Sequence, residues 1–278
     1  MNKNHFKWIT VIMLIFLLTG CSTSSELITI DTPIQDVMKD GFFSAVITYP
    51  LSQAINWLEP KVGIFFAIAI VTIVLNAIVL AFTFKSNVAM QKMQELQPEL
   101  QKIQAKYEGR NDSTSQQRMA AEMQQLYNKY GVNPFGSILS SFLQFPLLIG
   151  MYNAVRRSEK VATAKFLNTS LALSPSQALA SKAWVCVVIF VLMVIFQVLS
   201  MKIPQWLADY RGKQEADKHH KTYQKPTNQN NMMIYSMLLM VAFAMFSLPT
   251  ALSLYYCIYS IVNIVKTFVI DRLTHKEA

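Results

Sequence analysis

Five charge-poor stretches organise this 278-residue chain. Residues 62–84, 134–155 and 183–201 contain no Asp, Glu, Lys or Arg, and a 40-residue uncharged run follows from Pro226 to Val265. A helix rising about 1.5 Å per residue needs about 20 apolar residues to cross about 30 Å of hydrocarbon. Each of the first three stretches is therefore one crossing, and the fourth is long enough for two. Ser247-Leu248-Pro249-Thr250 divides it, because proline lacks a backbone donor and disfavours helix in the residue before it. The pattern predicts spans at 62–84, 134–155, 183–201, 232–248 and 250–270.

The segments between the spans have their own periodicity. Over 33–60, Phe43, Val46, Ile47, Leu51, Ile55 and Leu58 fall on one helical face, with Pro50 bending the element. Such a helix lies on a membrane surface. In residues 85–133, Met93, Leu96, Leu100, Ile103 and Tyr107 recur at alternating spacings of three and four. Met119, Met123, Leu126 and Tyr130 repeat the pattern after the polar linker Gly109–Ser115. Two such stripes predict an antiparallel helical hairpin with a coiled-coil-like seam. Gly131 closes its second helix, and Asn133-Pro134 turns the chain into the next span. Met90, Met93, Met119 and Met123 either fill the seam or present an adaptable contact surface, since thioethers repack easily.

Composition agrees with a membrane protein: 53% of residues are hydrophobic and 15% charged, below the about 25% charged that is usual for soluble domains. The net charge of +9 accompanies no compact Lys/Arg run with interleaved aromatics, so it reads as an orientation signal rather than a nucleic-acid site. Lys3, Lys7 and the apolar run Trp8–Leu18 have the form of a signal peptide over residues 1–20. Leu18-Thr19-Gly20-Cys21 resembles a bacterial lipobox, in which the cysteine is lipidated and becomes the mature N-terminus, outside the cytoplasm. An ordinary signal peptide with an incidental cysteine is the alternative. Residues 21–61 then form an external tether and the amphipathic helix.

Alternation from an external start places residues 85–133, 202–231 and 266–278 in the cytoplasm, with 16 Lys/Arg against 10 acids. The external segments after Cys21 hold 7 against 6. The bias agrees with the lipobox, although Arg156, Arg157, Lys160 and Lys165 crowd the predicted external loop 156–182. Cys186 and Cys257 lie within spans as small hydrophobes.

Polar side chains within the spans carry the functional reading. Thr72, Asn76 and Thr83 share one helical face. Ser137, Ser141 and Gln144 share another, Gln197 stands one turn from Ser200, and Tyr256, Ser260 and Asn263 form a stripe. Given the alternating directions, most fall in the cytoplasmic halves of four spans. Polar groups in hydrocarbon tend to face a bundle interior or a water-filled cavity. Helix-to-helix hydrogen bonding, at about 0.6 kcal/mol per contact, is the simpler alternative. A cavity open to the cytoplasm and sealed outside accounts better for the common depth.

No Ser/His/Asp arrangement, paired intramembrane carboxylates, HExxH or phosphate-cradling loop is present. His219 and His220 are adjacent, point apart on a helix and lack a third ligand, so no metal site, cofactor or enzymatic chemistry is expected. A small polytopic transporter or channel is the alternative function. It predicts a path polar on both sides, or paired repeats with broken helices.

The order of parts resembles the YidC/Oxa/Alb family of membrane insertases in its Gram-positive lipoprotein form. The resemblance rests on the lipobox at Cys21, Met93-Gln94-Glu95-Leu96-Gln97-Pro98, Gly131-Val132-Asn133-Pro134, Gln144-Phe145-Pro146 and Leu248–Tyr256. It implies an all-α integral membrane protein: a five-transmembrane-helix bundle with a cytoplasmic helical hairpin and an amphipathic external helix. It also implies a hydrophilic groove open to cytoplasm and lipid, nascent membrane proteins as substrates received by the hairpin, and the Sec translocon and ribosome as candidate partners. The family usually carries an arginine where this chain has Asn76, a proline where it has Ala81, and Tyr-Trp where it has Tyr255-Tyr256. Asn76 keeps the groove wet without a positive charge, and Lys266, at the cytoplasmic end of its span, is expected to snorkel. The tail 271–278 is short and mixed in charge, so ribosome docking would fall to the cytoplasmic loops.

Overall fold

The structure is a computed structural model that describes residues 26–110, 112–218 and 229–275, with residues 134–145, 215, 216, 218, 229–234, 237 and 275 described by backbone alone. The expected leader, Cys21, His219 and His220 lie outside the described residues. The order of elements is α1 (Ile34–Met38), α2 (Tyr49–Glu95), α3 (Gln97–Lys106), α4 (Ser113–Lys129), α5 (Pro134–Arg157), α6 (Glu159–Thr163), β1 (Lys165–Phe166), β2 (Thr169–Ser170), α7 (Pro175–Ala180), α8 (Trp184–Lys218), α9 (Gln229–Ser247) and α10 (Thr250–His275). A π-helical turn, Ser44–Thr48, leads into α2.

Among the described residues, three helical segments are long and apolar enough to cross a membrane: Ser44–Glu95, Trp184–Gln214 and Thr250–Thr274. Leu238–Ser247 is a shorter apolar helix. Their surfaces explain what they need from their surroundings. Beyond Gly63, α2 buries Ala67, Ile68 and Val71 yet exposes Phe66, Ile73, Val74, Ile78 and Phe82. A helix apolar on both its packed and its open faces suits an apolar solvent, not water. On α8, Val188, Val191, Leu192 and Ile195 are likewise exposed.

The break in α2 is local in origin. Gly63 has φ 78° and ψ 160°, a conformation closed to residues with a Cβ. Pro60 stands just before it. The two interrupt α2 between a first part that buries Ser52, Ile55 and Asn56 and the long apolar second part.

The chain divides into two compact units, and the division falls inside each of α2, α5, α8, α9 and α10. The first unit comprises Met1–Ala77, Phe142–Val194 and Ala242–Tyr259. Its packing rests on a stripe that apolar periodicity does not reveal. Ser44, Thr48, Ser52 and Asn56, spaced by four, are all buried. Ser52 donates to the carbonyl of Ala154 on α5 (3.3 Å), and Asn56 donates to the carbonyl of Ile28 (2.6 Å). The Asn56 carbonyl oxygen accepts from the Ser158 hydroxyl (2.6 Å) and the Lys160 amide (3.3 Å). Ser52 and Asn56 thus satisfy backbone and side-chain groups that apolar residues would leave unpaired, whereas the Ser44 and Thr48 hydroxyls are buried without a hydrogen-bond partner among the described residues. Of the predicted apolar face, Phe43 and Ile55 are buried whereas Val46 is exposed.

Arg157, a misfit in the charge count, is buried and tied down in the same unit. It pairs with Asp40 (2.6 Å), and its Nε donates to the carbonyl of Glu26 (3.0 Å). A cation neutralised in this way is a structural group and carries little weight as an orientation signal. The two-residue turn Leu167-Asn168, both at positive φ, joins β1 to β2 antiparallel. The amides of Thr250 and Ala251 at the start of α10 donate to the carbonyls of Leu173 and Leu171, which satisfies two donors that a helix start leaves open.

The second unit comprises Ile78–Ser141, Ile195–Val241 and Ser260–Ala278. Within it α3 and α4 pack around Leu96, Leu100, Leu126 and Val132, with Met93, Ile103, Met123 and Tyr127 against that cluster. Polar pairs flank the seam. Tyr107 and Lys106 both donate to Glu122 (2.8 and 2.6 Å), and Tyr130 donates to Glu99 (3.0 Å). These pairs fix an antiparallel register. Tyr130, predicted in the seam, is 39% exposed, and Tyr127 packs in its place, one helical turn after Met123. Asp112 caps α4 by accepting from the Ser115 amide (2.8 Å). Gly131, at φ 63°, ends it, with the Val132 amide donating to the carbonyl of Tyr127 (2.9 Å). The helices α8 and α10 run beyond the predicted spans, to Lys218 and His275.

Candidate functional site

Polar side chains in apolar helices must find partners, and the structure shows three different solutions. The first is bonding to the residue's own helix. Thr72 donates to the carbonyl of Ile68 (2.7 Å), Asn76 to that of Thr72 (2.8 Å) and Thr83 to that of Val79 (2.7 Å). Each bond returns to the residue four back, the natural reach of a short polar side chain on a helix. Asn87 extends this chain, donating to both the carbonyl and the hydroxyl of Thr83 (2.9 Å each). Thr72 is fully buried and Thr83 nearly so, while Asn76 is half-buried.

The second solution joins helices. In the second unit, Ser260 on α10 is fully buried and donates to the Gln197 side-chain oxygen on α8 at 2.6 Å. An apolar replacement on one side would leave the other side's polar atom unpaired, which costs about 1–3 kcal/mol.

The third is to have no protein partner. Among the described residues, the Asn263 side-chain oxygen, one turn beyond Ser260, is buried without one. Its backbone carbonyl accepts from the Thr267 hydroxyl (2.9 Å). A buried amide oxygen in this state is a place for water or for a passing donor.

The predicted residues therefore fall into distinct groups. Gln197 and Ser260 come together in the second unit, where Asn263 and Thr83 also lie. Thr72, Asn76 and Tyr256 belong to the first unit. Tyr256 is buried in an aromatic cluster, 5.4 Å from the Tyr255 ring and 6.3 Å from that of Tyr259. Ser137, Ser141 and Gln144 stand on α5, with their side chains outside what is described. Met93 and Met123 pack in the α3–α4 seam, and Met90 and Met119 are half-buried. Asn87 escaped the sequence reading although it continues the i, i+4 series from Thr83. So did Asn153 and Ser253 of the first unit, whose buried side-chain donors have no hydrogen-bond partner among the described residues.

Outside the apolar helices, charge is paired in the α3–α4 hairpin. In the α3–α4 pair, the hydrogen bond from Lys106, joined by that from Tyr107, holds the Glu122 carboxyl below its usual range, and the same bond raises the Lys106 ammonium. The Ser115 hydrogen bonds lower Asp112 in the same way. Among the described residues no three His, Cys, Asp or Glu side chains gather as a metal site.

The description of the 60Kd inner membrane protein family matches residues 57–277. The chain is 29% identical to the membrane protein insertase YidC of Oceanobacillus iheyensis, over 98% of each protein. It is 30% identical to the membrane protein insertase YidC 2 of Bacillus anthracis, over 94% of this chain and 90% of that one. Against the membrane protein insertase YidC of Mycoplasmopsis pulmonis it is 30% identical over 70% of this chain and 33% of the relative, so it spans about a third of that protein's length. Matched along most of its length by the family and by relatives of its own size, this all-α membrane chain belongs to the 60Kd inner membrane protein family, the YidC/Oxa/Alb proteins.

Proposed function

We propose that this protein is a membrane protein insertase, which integrates nascent membrane proteins through a hydrophilic groove open to cytoplasm and lipid. The observation that carries the proposal is the polar set of the second unit: the Ser260–Gln197 bond, the unpartnered Asn263 oxygen and Thr83, on otherwise apolar helices. Helix stitching does not account for all of it, because Thr72, Asn76 and Thr83 spend their donors on their own backbone. Side chains that hold no neighbouring helix leave their remaining polar atoms for a solvent or substrate group, as at the half-buried Asn76. The names of the relatives, membrane protein insertases, point the same way.

In this reading the bundle has five spans, with α5 and α9 completing the three long apolar helices, and Ser137, Ser141 and Gln144 facing the groove. The α3–α4 hairpin lies in the cytoplasm and receives substrate. Cys21 carries a lipid, and the N-terminus lies outside a bacterial plasma membrane. The groove shortens the hydrocarbon that a substrate's polar segment must cross. Burial of the substrate's apolar helix in lipid then drives integration, with no nucleotide, cofactor or bond-breaking step. The Sec translocon and the ribosome are partners the reading allows.

Reconstitution into liposomes tests it. The purified protein should integrate a single-span test protein to a protease-protected form without ATP. Vesicles that take up a small solute but integrate nothing would instead mark a transporter or channel.

A further inference from the structure

Below the groove residues, the second unit holds a buried acid on the last turns of α10. Asp271 is 4% exposed, and it accepts from three donors on two other helices. The Arg211 guanidinium of α8 grips both carboxylate oxygens, Nε to Oδ1 at 3.1 Å and Nη2 to Oδ2 at 2.6 Å. Gln91 of α2 donates to Oδ1 at 3.0 Å. A two-pronged Arg–carboxylate pair fixes orientation as well as distance, so this contact sets the relative position of helices and not merely their proximity.

The three helices so joined carry the polar groups of the candidate groove: Thr83 on α2, Gln197 on α8, and Ser260 and Asn263 on α10. Gln91 lies about 12 Å along its helix from Thr83, Asp271 about 12 Å from Asn263, and Arg211 about 21 Å from Gln197. Between Gln197 and Arg211 stands Pro204, which removes a backbone hydrogen bond and makes α8 prone to bend there. A helix weakened at that point needs a tether beyond it if its upper part is to keep one position.

We propose that Gln91, Arg211 and Asp271 form a positioning clamp that fixes the lower ends of α2, α8 and α10 and thereby the spacing of Thr83, Gln197, Ser260 and Asn263, on which entry of a substrate's polar segment depends. The clamp touches no substrate; it acts through the helices. It rests on the insertase reading above.

The test uses the full-length protein in proteoliposomes, with spin labels on the exposed positions Lys85 and Lys213, and five forms: parent, Asp271→Arg, Arg211→Asp, the double exchange, and Gln91→Ala. The parent should give a narrow inter-label distance distribution and integrate the test protein. Each single charge reversal should broaden the distribution and reduce integration severalfold, and the double exchange should restore both. Should the single reversals fail to fold, Gln91→Ala removes one neutral contact and should still broaden the distribution and slow integration. Folded single variants that keep the parent's distances and integrate normally would overturn the clamp. So would a Gln91→Ala form identical to the parent when the reversals do not fold, or a folded double exchange that restores neither readout. A parent that integrates nothing would instead remove the insertase reading, and the distance measurements would then judge the clamp alone.

Discussion

Asn76 shows what one amide can do within an apolar helix. Its donor is occupied by the Thr72 carbonyl one turn back, which lowers the cost of holding an amide away from water. Its oxygen leaves the position hydrophilic but uncharged. If wetness at this position is what substrates require, Asn76→Arg should support growth of an insertase-depleted bacterium at least as well as the parent, and Asn76→Leu should support it poorly. Normal growth with the leucine form would show that polarity there is irrelevant. The buried residue Asn56 has the opposite role, since its side chain serves Ile28, Ser158 and Lys160 at once and acts as a structural junction.

At the scale of elements, the α3–α4 pair is the part whose stability should follow pH. Glu122 has its carboxyl held below the ordinary value of 4.5 by Lys106 and Tyr107. A lowered folded-state value means that the contribution is complete above 4.5 and disappears as pH falls through the lowered value. Lys106, raised above 10.5, keeps its share below that pH and loses it as pH rises through the raised value. Lys106 is exposed and the Glu122 side chain is 33% exposed, so solvent screening keeps the effect modest. Melting of the pair, followed by a donor–acceptor dye pair on the two helices, should show Glu122→Gln less stable than the parent at pH 7. The two forms should converge toward pH 3, and a gap that persists there would contradict the assignment. The seam itself, built on Leu96, Leu100 and Leu126, should survive these changes because it is apolar.

For the whole molecule, the exposed apolar faces of α2 and α8 require lipid around them, and the charges between the spans set the direction in which they cross. The proposed topology places Met38 and Leu167 outside and Arg110 and Arg272 inside. Single cysteines at those positions, in a background without Cys186 and Cys257, should divide accordingly. The first two should react with a membrane-impermeant maleimide on intact cells, and the other two only after lysis. Labelling of position 110 on intact cells would invert the arrangement.

Long-wavelength features were legible without a structure. Three long apolar helices, the division at Pro249, the α3–α4 seam, the closure at Gly131 and the polar residues within apolar helices all follow from hydrophobicity, periodicity and turn chemistry, which are local properties. The Met93–Leu96–Leu100 stripe lies in the seam because a helix repeats every 3.6 residues, whatever surrounds it. What the sequence could not reveal are partnerships between residues far apart in the chain. Nothing near Asp271 marks it as the acceptor for Arg211 and Gln91, and a count of charges treats Arg157 as surplus when Asp40 neutralises it 117 residues away. The Ser44–Thr48–Ser52–Asn56 stripe looks like solvated polar surface until α5 is laid against it. Tertiary structure alone decided these, because whether a polar group is exposed, self-bonded or shared between helices depends on which backbone happens to lie opposite.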